Sequence, residues 1–587
     1  MLPCVLPRAV SAAPSLSLTP LESLLCGLLD HACRWMSDVD PQVECEGRTY
    51  SFSQLCRPHG PSALRCEARI AGGWVRDKLL QLPSHDLDVS LSTLTGHNFA
   101  LFLQAYLASD AFAATPLKAA MDAHARGATA ISHIGKIAAN PEQSKNLETA
   151  TARVLGLDVD FVNLRKEAYE GGSRIPIMSF GTPYEDAMRR DMTVNALFYN
   201  VHTQQVEDWT GHGLDDLRTG LVRTPLEPSA TFEDDPLRIL RCVRFASRFG
   251  YALHPSIAAC LNDETLREAL SRKVSRERVG IEVDKMLAGP DPHHALKLLA
   301  ELHLYPAVFE LPPPISTQPM PADGTRPVAP VVVISAFFDS LVRSTDAYAS
   351  LYLRLPPSWL AQVRDAPTAQ RLLWYSIALL PLHGCRVSQG KHSVWAGSMT
   401  VSDGLKLGNR TTKDPVNCLY EAADLLRNPT LERFAPEGVL SRRSRVGLLL
   451  RHPSITRPLI DVALPTSLMA ALLAELVPLV DGEGVRHDEA VRVLDTYAAF
   501  WTYVESEGLA AYAQSKPIVD GLRIAEALGC EKHLISRLLP FVVSWEIDHE
   551  HVPASERAEQ CVHDLQAAWK DGELVPEAER ARVKRSK

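Results

Sequence analysis

The pattern of apolar and polar positions divides the chain near residue 311. Before it, short strand-like runs alternate with helical stripes; after it, the pattern is almost wholly helical. The densest stretch is Arg69 to Ser90, RIAGGWVRDKLLQLPSHDLDVS. Ile70 and Ala71 give an apolar entry into two glycines, Gly72 and Gly73. An amphipathic helix is predicted from Trp74 to Leu82, stopped by Pro83. Asp86-Leu87-Asp88-Val89 then alternates with the period of a strand, so Asp86 and Asp88 share one face and Leu87 and Val89 turn inward. A further strand is predicted over Gly156 to Leu164, with Val159, Phe161 and Val162 as its apolar content. Arg189 to Asn200, RRDMTVNALFYN, reads as a polar patch opening a short helix, with Thr193 and Asn195 near its start. Glu233 to Tyr251 is predicted as one helix. It has acids and Pro236 in its first turn, an apolar stripe of Leu237, Leu240, Val243 and Phe249, and a row of Arg238, Arg241, Arg244 and Arg248.

Beyond the proline-rich LPPPISTQPMPADGTRPVAP, the segments QRLLWYSIALLPL, LMAALLAELVPLV and AVRVLDTYAAFWTYV all read as helices. Ser441 to Arg451 carries four arginines and no acid, either a phosphate-contact surface or an ordinary basic helix end. At 587 residues the chain is too long for one core, and two to four domains are expected. No apolar run reaches the length of a membrane span; Val331 to Phe338 is too short.

Composition narrows the function. The net charge of −9 means that any nucleic-acid site is a local basic surface rather than a global one. The 12 cysteines form no C-x-x-C pair, which points away from zinc and towards a reducing compartment, cytoplasm or nucleus. The first acid is Glu22, and the stretch before it fits either a mitochondrial transit signal or a disordered tail.

The candidate chemistry follows from residue types. Two carboxylates on one face repel unless a cation neutralises them, and oxygen ligands suit Mg²⁺. Glycines let a backbone approach a phosphate closely. Together they make a site for a nucleoside triphosphate. Arg189 and Arg190 can bind phosphate with forked donors, and Asp191 can accept from a ribose hydroxyl or cap a helix. Asp160 is a candidate third acid or an exposed strand acid. Asp235 and Arg238 are three apart, neighbours on one helix face. A carboxylate accepts and a guanidinium donates. Cytosine and adenine both present an amino donor beside a ring-nitrogen acceptor, whereas uracil and guanine present the reverse, so the pair would accept C and A.

These stretches resemble the class II tRNA nucleotidyltransferases, the CCA-adding enzymes of the polymerase beta nucleotidyltransferase superfamily, in their eukaryotic branch. Gly72, Gly73, Val75, Arg76, Asp77, Leu79, Leu80, Asp86 and Asp88 match motif A; Gln81 stands where the family often has glycine. Arg189-Arg190-Asp191 with Thr193 and Asn195 matches motif B, Asp208 to Leu217 motif C, Asp235 and Arg238 motif D, and Ser271 to Leu287 motif E. The resemblance implies an α+β fold, with a nucleotidyltransferase head on a mixed sheet over 22–223 after a tail of 1–21. A helical neck over 224–300, a body over 301–450 with an insert at 311–330, and a tRNA-binding tail over 451–587 would follow. It implies Asp86 and Asp88 as catalytic metal ligands for Mg²⁺. It implies nucleotide binding by Gly72, Gly73, Arg76, Asp77, Arg190, Asp191, Asn195, Asp235, Arg238 and Arg241, with Glu277 and Arg278 as structural support. It also implies a flexible loop after Ser90 that helps the site switch nucleotides. The implied reaction is untemplated addition of CCA to the tRNA 3′ end from CTP and ATP, releasing pyrophosphate. A poly(A) polymerase, a CC- or A-adding specialist, and an inactive RNA-binding protein are the alternatives.

Overall fold

The computed structural model describes residues 16–45, 47–57, 65–84, 86–125, 131–137, 149–168, 177–309, 327–389, 392–438, 440–571 and 574. The first fifteen residues of the expected tail, most of the 311–330 insert, and 126–130 and 138–148 of the expected switching loop lie outside them. The chain forms two compact units, residues 2–307 and 308–587.

The first unit is built on a seven-stranded mixed sheet. Numbering only its strands, they are β1 Ala68–Ala71, β2 Leu87–Leu91, β3 Ile131–Ile137, β4 Thr149–Val154, β5 Leu157–Asn163, β6 Leu197–Asn200 and β7 Gln205–Asp208. Their spatial order is β7-β6-β1-β2-β5-β4-β3, and only β2 and β5 run parallel. The predicted alternation holds in β2 and β5. Leu87, Val89, Val159 and Phe161 are buried, while Asp88 and Asp160 face the other way and stand side by side in register.

Helices cover the sheet and carry the site. They are α1 Pro20–Val39, α2 Gly73–Leu79, α3 Gly96–Leu107, α4 Pro183–Met188, α5 Gly213–Thr219, α6 Pro228–Asp234, α7 Leu237–Phe249 and α8 Arg276–Leu287. The expected tail of 1–21 therefore ends early. Thr19 and Glu22 form a capping box that starts α1 at Pro20. Buried Glu22 also accepts from Trp74 Nε1 at 3.2 Å and Lys78 Nζ at 2.7 Å, which fixes α1 against α2.

Three predicted elements differ. Helix α2 stops at Leu79 rather than Leu82, and Gln81 takes a left-handed backbone at φ 57°. That conformation explains why glycine suits position 81. Residues 189–200 are not a helix: Arg189 and Arg190 follow the end of α4, Thr193–Asn195 is a 3₁₀ turn, and Leu197–Asn200 is the strand β6. The aromatic run Phe198-Tyr199 packs as sheet core, and this tertiary burial overrides the local helical signal. Glu233 to Tyr251 is two helices, broken at Asp235 with φ −145° and ψ 100°. Pro236 forces that break, because the ring disfavours helical backbone at the preceding residue.

In the second unit the described residues are mainly helical, with two short antiparallel strand pairs, 386–389 with 392–395 and 480–481 with 484–485. Its basic stretch forms the helix Arg442–Leu450. Arg443 donates to the Ile547 carbonyl at 2.5 Å and to the Glu507 carbonyl at 3.0 Å, and also pairs with Glu550. Arg445 reaches the Ala435 carbonyl, and Arg451 the Tyr512 carbonyl at 2.6 Å. Three of the four arginines thus hold the unit's own backbone, and the structure favours the helix-end reading of that stretch. Among the described residues no helix is long and apolar enough to cross a membrane.

Gly96 opens α3 directly on β5: a methyl group there would overlap the Phe161 carbonyl oxygen. Gly96→Ala should destabilise the head by about 1–3 kcal/mol, read as a lower urea midpoint. An unchanged midpoint would show that α3 can move off the strand.

Candidate active site

The site is an open cavity of about 540 Å³ at the head and the helices after it. Gly72, Gly73, Arg76, Asp88, Arg190, Asp191, Asn195, Asp235, Arg238, Arg241 and Arg278, all singled out in the sequence, line it. Asp77, Asp86 and Glu277 do not.

The turn from β1 into α2 depends on glycine. Gly72 has φ 73° and ψ −125°, a backbone that residues with a side chain avoid. A Cβ there would also lie 2.8 Å from Arg190 Nη1. The bare turn therefore lets the Arg190 fork lie against it.

Arg76 is buried behind the turn. It donates to Asp77 Oδ1 from Nε at 2.8 Å and Nη2 at 2.7 Å, and its Nη1 donates to Asn195 Oδ1. Its guanidinium carbon lies 5.0 Å from the Phe245 ring centre and 4.9 Å from that of Phe249. Burial pushes its pKa down, and Asp77 opposes that shift. Asp77 is thus the buried counter-ion of a lining residue.

Asp191, Arg241 and Glu282 continue this network. Asp191 Oδ1 accepts from Asn195 Nδ2 at 3.1 Å, and its Oδ2 from Arg241 Nε at 2.6 Å. Burial works to raise its carboxyl, but Arg241 and Asn195 outweigh it and hold it below the usual range. Glu282, buried on α8, accepts from Arg244 Nε at 2.5 Å and stands 4.0 Å from Arg241. Glu282 and Arg278, rather than the exposed Glu277, connect α8 to α7 and its cap.

Asp235 and Arg238 do meet at the cavity, but not as two residues of one helical turn. Asp235 is extended and caps α7: its Oδ1 accepts from the Leu237 N–H at 3.1 Å, and its Oδ2 from Arg278 Nη2 at 2.7 Å. Arg238 sits in the first turn of α7 and donates from Nη1 to the Thr231 carbonyl at 3.3 Å.

At the far end Asp88 lines the cavity, with Ser90 two residues on along the same face. Burial raises the Asp88 carboxyl; Asp160 and Asp86 add to that, against Arg190 and Arg165. Asp86 lies exposed just before β2, and Asp160 accepts from Thr151 Oγ1 at 2.7 Å. Among the described residues no group of three or more His, Cys, Asp or Glu side chains is arranged to hold a metal ion by itself. A cation bound beside Asp88 would offset the burial and the two neighbouring acids that raise its carboxyl. Mg²⁺ needs only one or two carboxylates where phosphates supply further oxygens.

Sequence reasoning missed Arg165, which lines the cavity, and assigned no role to Asn163 or Asp186. Arg165 and Asn163 flank the end of β5, where an asparagine and an arginine after an apolar strand were the available signal.

Seven arginines and three aspartates line the cavity, a balance that suits a polyanion beside an acid. The fold and this site define a nucleotidyltransferase. Residues 68–223 match the family described as the poly A polymerase head domain, and residues 266–315 match the probable RNA and SrmB-binding site of polymerase A. The mitochondrial CCA tRNA nucleotidyltransferase of Candida glabrata is 33% identical over 556 residues, spanning 92% of this chain and 95% of that one. The protein of the same name from Saccharomyces cerevisiae is 32% identical over 543 residues, spanning 92% of each. The chain belongs to the CCA tRNA nucleotidyltransferase family. A CCA-adding enzyme structure shares the fold, with a TM-score of 0.51 at 18% identity, covering 85% of this chain and 92% of that one.

Removing Arg76 alone leaves Asp77 buried without its main partner. Arg76→Met should cost about 3–5 kcal/mol in head stability. The double variant Arg76→Met/Asp77→Leu should recover much of it. Asp77→Leu alone completes the cycle, and a double-variant loss equal to the sum of the two single losses, by urea unfolding, would show that the pair is not coupled.

Proposed function

We propose that this protein adds C, C and A to the 3′ end of tRNA from CTP and ATP, releasing pyrophosphate. The observation that carries this reading is the placement of Asp235 and Arg238 on the same cavity as Asp88. A base-selecting acceptor and donor thus share a site with the acid of the chemical step. Asp235, held by the Leu237 N–H and Arg278, accepts from the amino group of cytosine or adenine; Arg238 donates to the ring nitrogen. Asp191 receives the ribose 2′-hydroxyl, since each carboxylate oxygen has a second lone pair beyond its bond to Asn195 or Arg241. Arg190 and the Gly72–Gly73 turn receive the phosphates.

Asp86 and Asp88 would hold Mg²⁺, with Asp160 as a neighbouring third acid. Bound there, the metal ions lower the pKa of the attacking 3′-hydroxyl and stabilise charge on the leaving oxygens. The acceptor stem is recognised by shape and phosphate contacts. A mitochondrial location is supported by the names of the relatives from Candida glabrata and Saccharomyces cerevisiae.

Purified protein given tRNA that lacks its end should incorporate CTP and then ATP, and neither UTP nor GTP. A poly(A) polymerase would use ATP without CTP. Asp88→Ala should abolish addition while leaving the fold intact; near-normal turnover at ordinary Mg²⁺ overturns the assignment of the acid.

The two base-selecting residues should fail differently. Arg238→Ala should lose CTP and ATP together. Asp235→Ala should gain relative use of UTP or GTP, out of a discrimination on the order of 10⁴. Single-nucleotide incorporation with all four nucleotides reads this. An unchanged ranking in both variants would move selection elsewhere.

A further inference from the structure

Asp186, on α4, does not line the cavity but lies directly behind three residues that do. Its carboxylate is 1% exposed. Oδ1 accepts from Arg189 Nε at 2.9 Å and Nη2 at 2.5 Å, and from the Arg165 backbone N–H at 3.3 Å. Oδ2 accepts from Arg190 Nε at 3.2 Å and Nη2 at 2.9 Å. Arg165, Arg189 and Arg190 are all lining residues. Burial opposes the charge on Asp186, but Arg190 and Arg189 outweigh it and hold the carboxyl below its usual range.

Two further contacts fix the Arg190 fork. Its Nη1 donates to the Asn195 carbonyl at 3.1 Å, and its guanidinium carbon lies 5.1 Å from the Phe198 ring centre. Three of its five N–H groups are engaged in these bonds, which leaves two for a ligand. The same fork lies against Gly72, where a Cβ would approach Nη1 to 2.8 Å. The glycine turn and the restrained Arg190 fork therefore meet at one place, and the buried carboxylate behind that fork is the one that also holds Arg189. Two adjacent guanidinium groups repel and would otherwise spread towards solvent.

We propose that Asp186 is the positioning residue of the triphosphate subsite. It aims the Arg189 and Arg190 forks and anchors the backbone from which Arg165 projects, so that phosphates meet preset donors. This rests on the reading that the cavity takes a nucleoside triphosphate. Since the phosphates are common to all nucleotides, Asp186 sets affinity for CTP and ATP alike and has no part in choosing the base.

Asp186→Asn tests it with nearly the same shape. An amide offers an acceptor to one arginine and turns a donor towards the other, which only donates. The KM for CTP and for ATP should each rise about tenfold. The kcat should stay within about threefold, the KM for tRNA should be unchanged, and the ranking of the four nucleotides should be kept. Inorganic tripolyphosphate should raise the melting temperature of the wild type, and should do so much less in the variant. Asp186→Glu keeps the buried charge but displaces the forks by one methylene, and should raise both nucleotide KM values by a smaller factor. That variant carries the test if the amide does not fold.

Unchanged nucleotide KM values in a folded variant, or a fall in kcat alone, overturn the proposal and leave the nucleotide site standing. A change in base ranking also overturns it. If the wild type incorporates neither CTP nor ATP, the underlying reading falls, and this one with it.

Discussion

A cation sealed inside the head joins its two halves. Arg76 comes from the helix after the glycine turn; Asn195 comes from the 3₁₀ turn before β6; Phe245 and Phe249 come from helix α7. A buried guanidinium is costly unless every partner is in place, so it penalises any other docking of these elements. From Asn195 the chain of alternating charge runs on through Asp191 and Arg241 towards Glu282 and Arg244. Asp191 and helix α7 are thus held by one continuous network. Displacement at one end removes a partner at the other.

This network explains how so many cations share one cavity. Each arginine whose geometry is described above has a carboxylate, a carbonyl or an aromatic face behind it. Their remaining donors are fixed before a ligand arrives. Fixed dipoles and charges in a confined site need little reorganisation when a polyanion binds, which is the basis of electrostatic preorganisation.

Much of the site was legible because its chemistry is local in sequence. The Gly72–Gly73 turn, the strand acid Asp88 and the Arg190-Asp191 pair are short patterns, and all of them line the cavity. What was not legible depended on tertiary partners. Asp77 and Asp88 are both aspartates of motif A, yet one is buried against Arg76 and the other lines the cavity. Nothing local separates them. The helix expected over 189–200 is a turn and a strand because Phe198 and Tyr199 complete the sheet core. The break at Asp235 was readable from Pro236, but the helical stripe on either side hid it. Asp186 belongs to no motif in the sequence; only its burial between two arginines reveals it.

The parallel pairing of β2 with β5 has a consequence for how this chain can vary in length. Asp88 and Asp160 are brought together by strand register, and the alternation of a strand makes register all-or-none: a slip of one residue turns an acid to the opposite face. Between these strands the chain leaves the sheet after Leu91, re-enters it as β3 at Ile131, and pairs β4 antiparallel with β5. Insertions or deletions confined to the connection between Leu91 and Ile131 do not enter the register. That connection can change length while the acid end of the cavity stays fixed, whereas a single residue gained inside β2 or β5 would turn the acids apart.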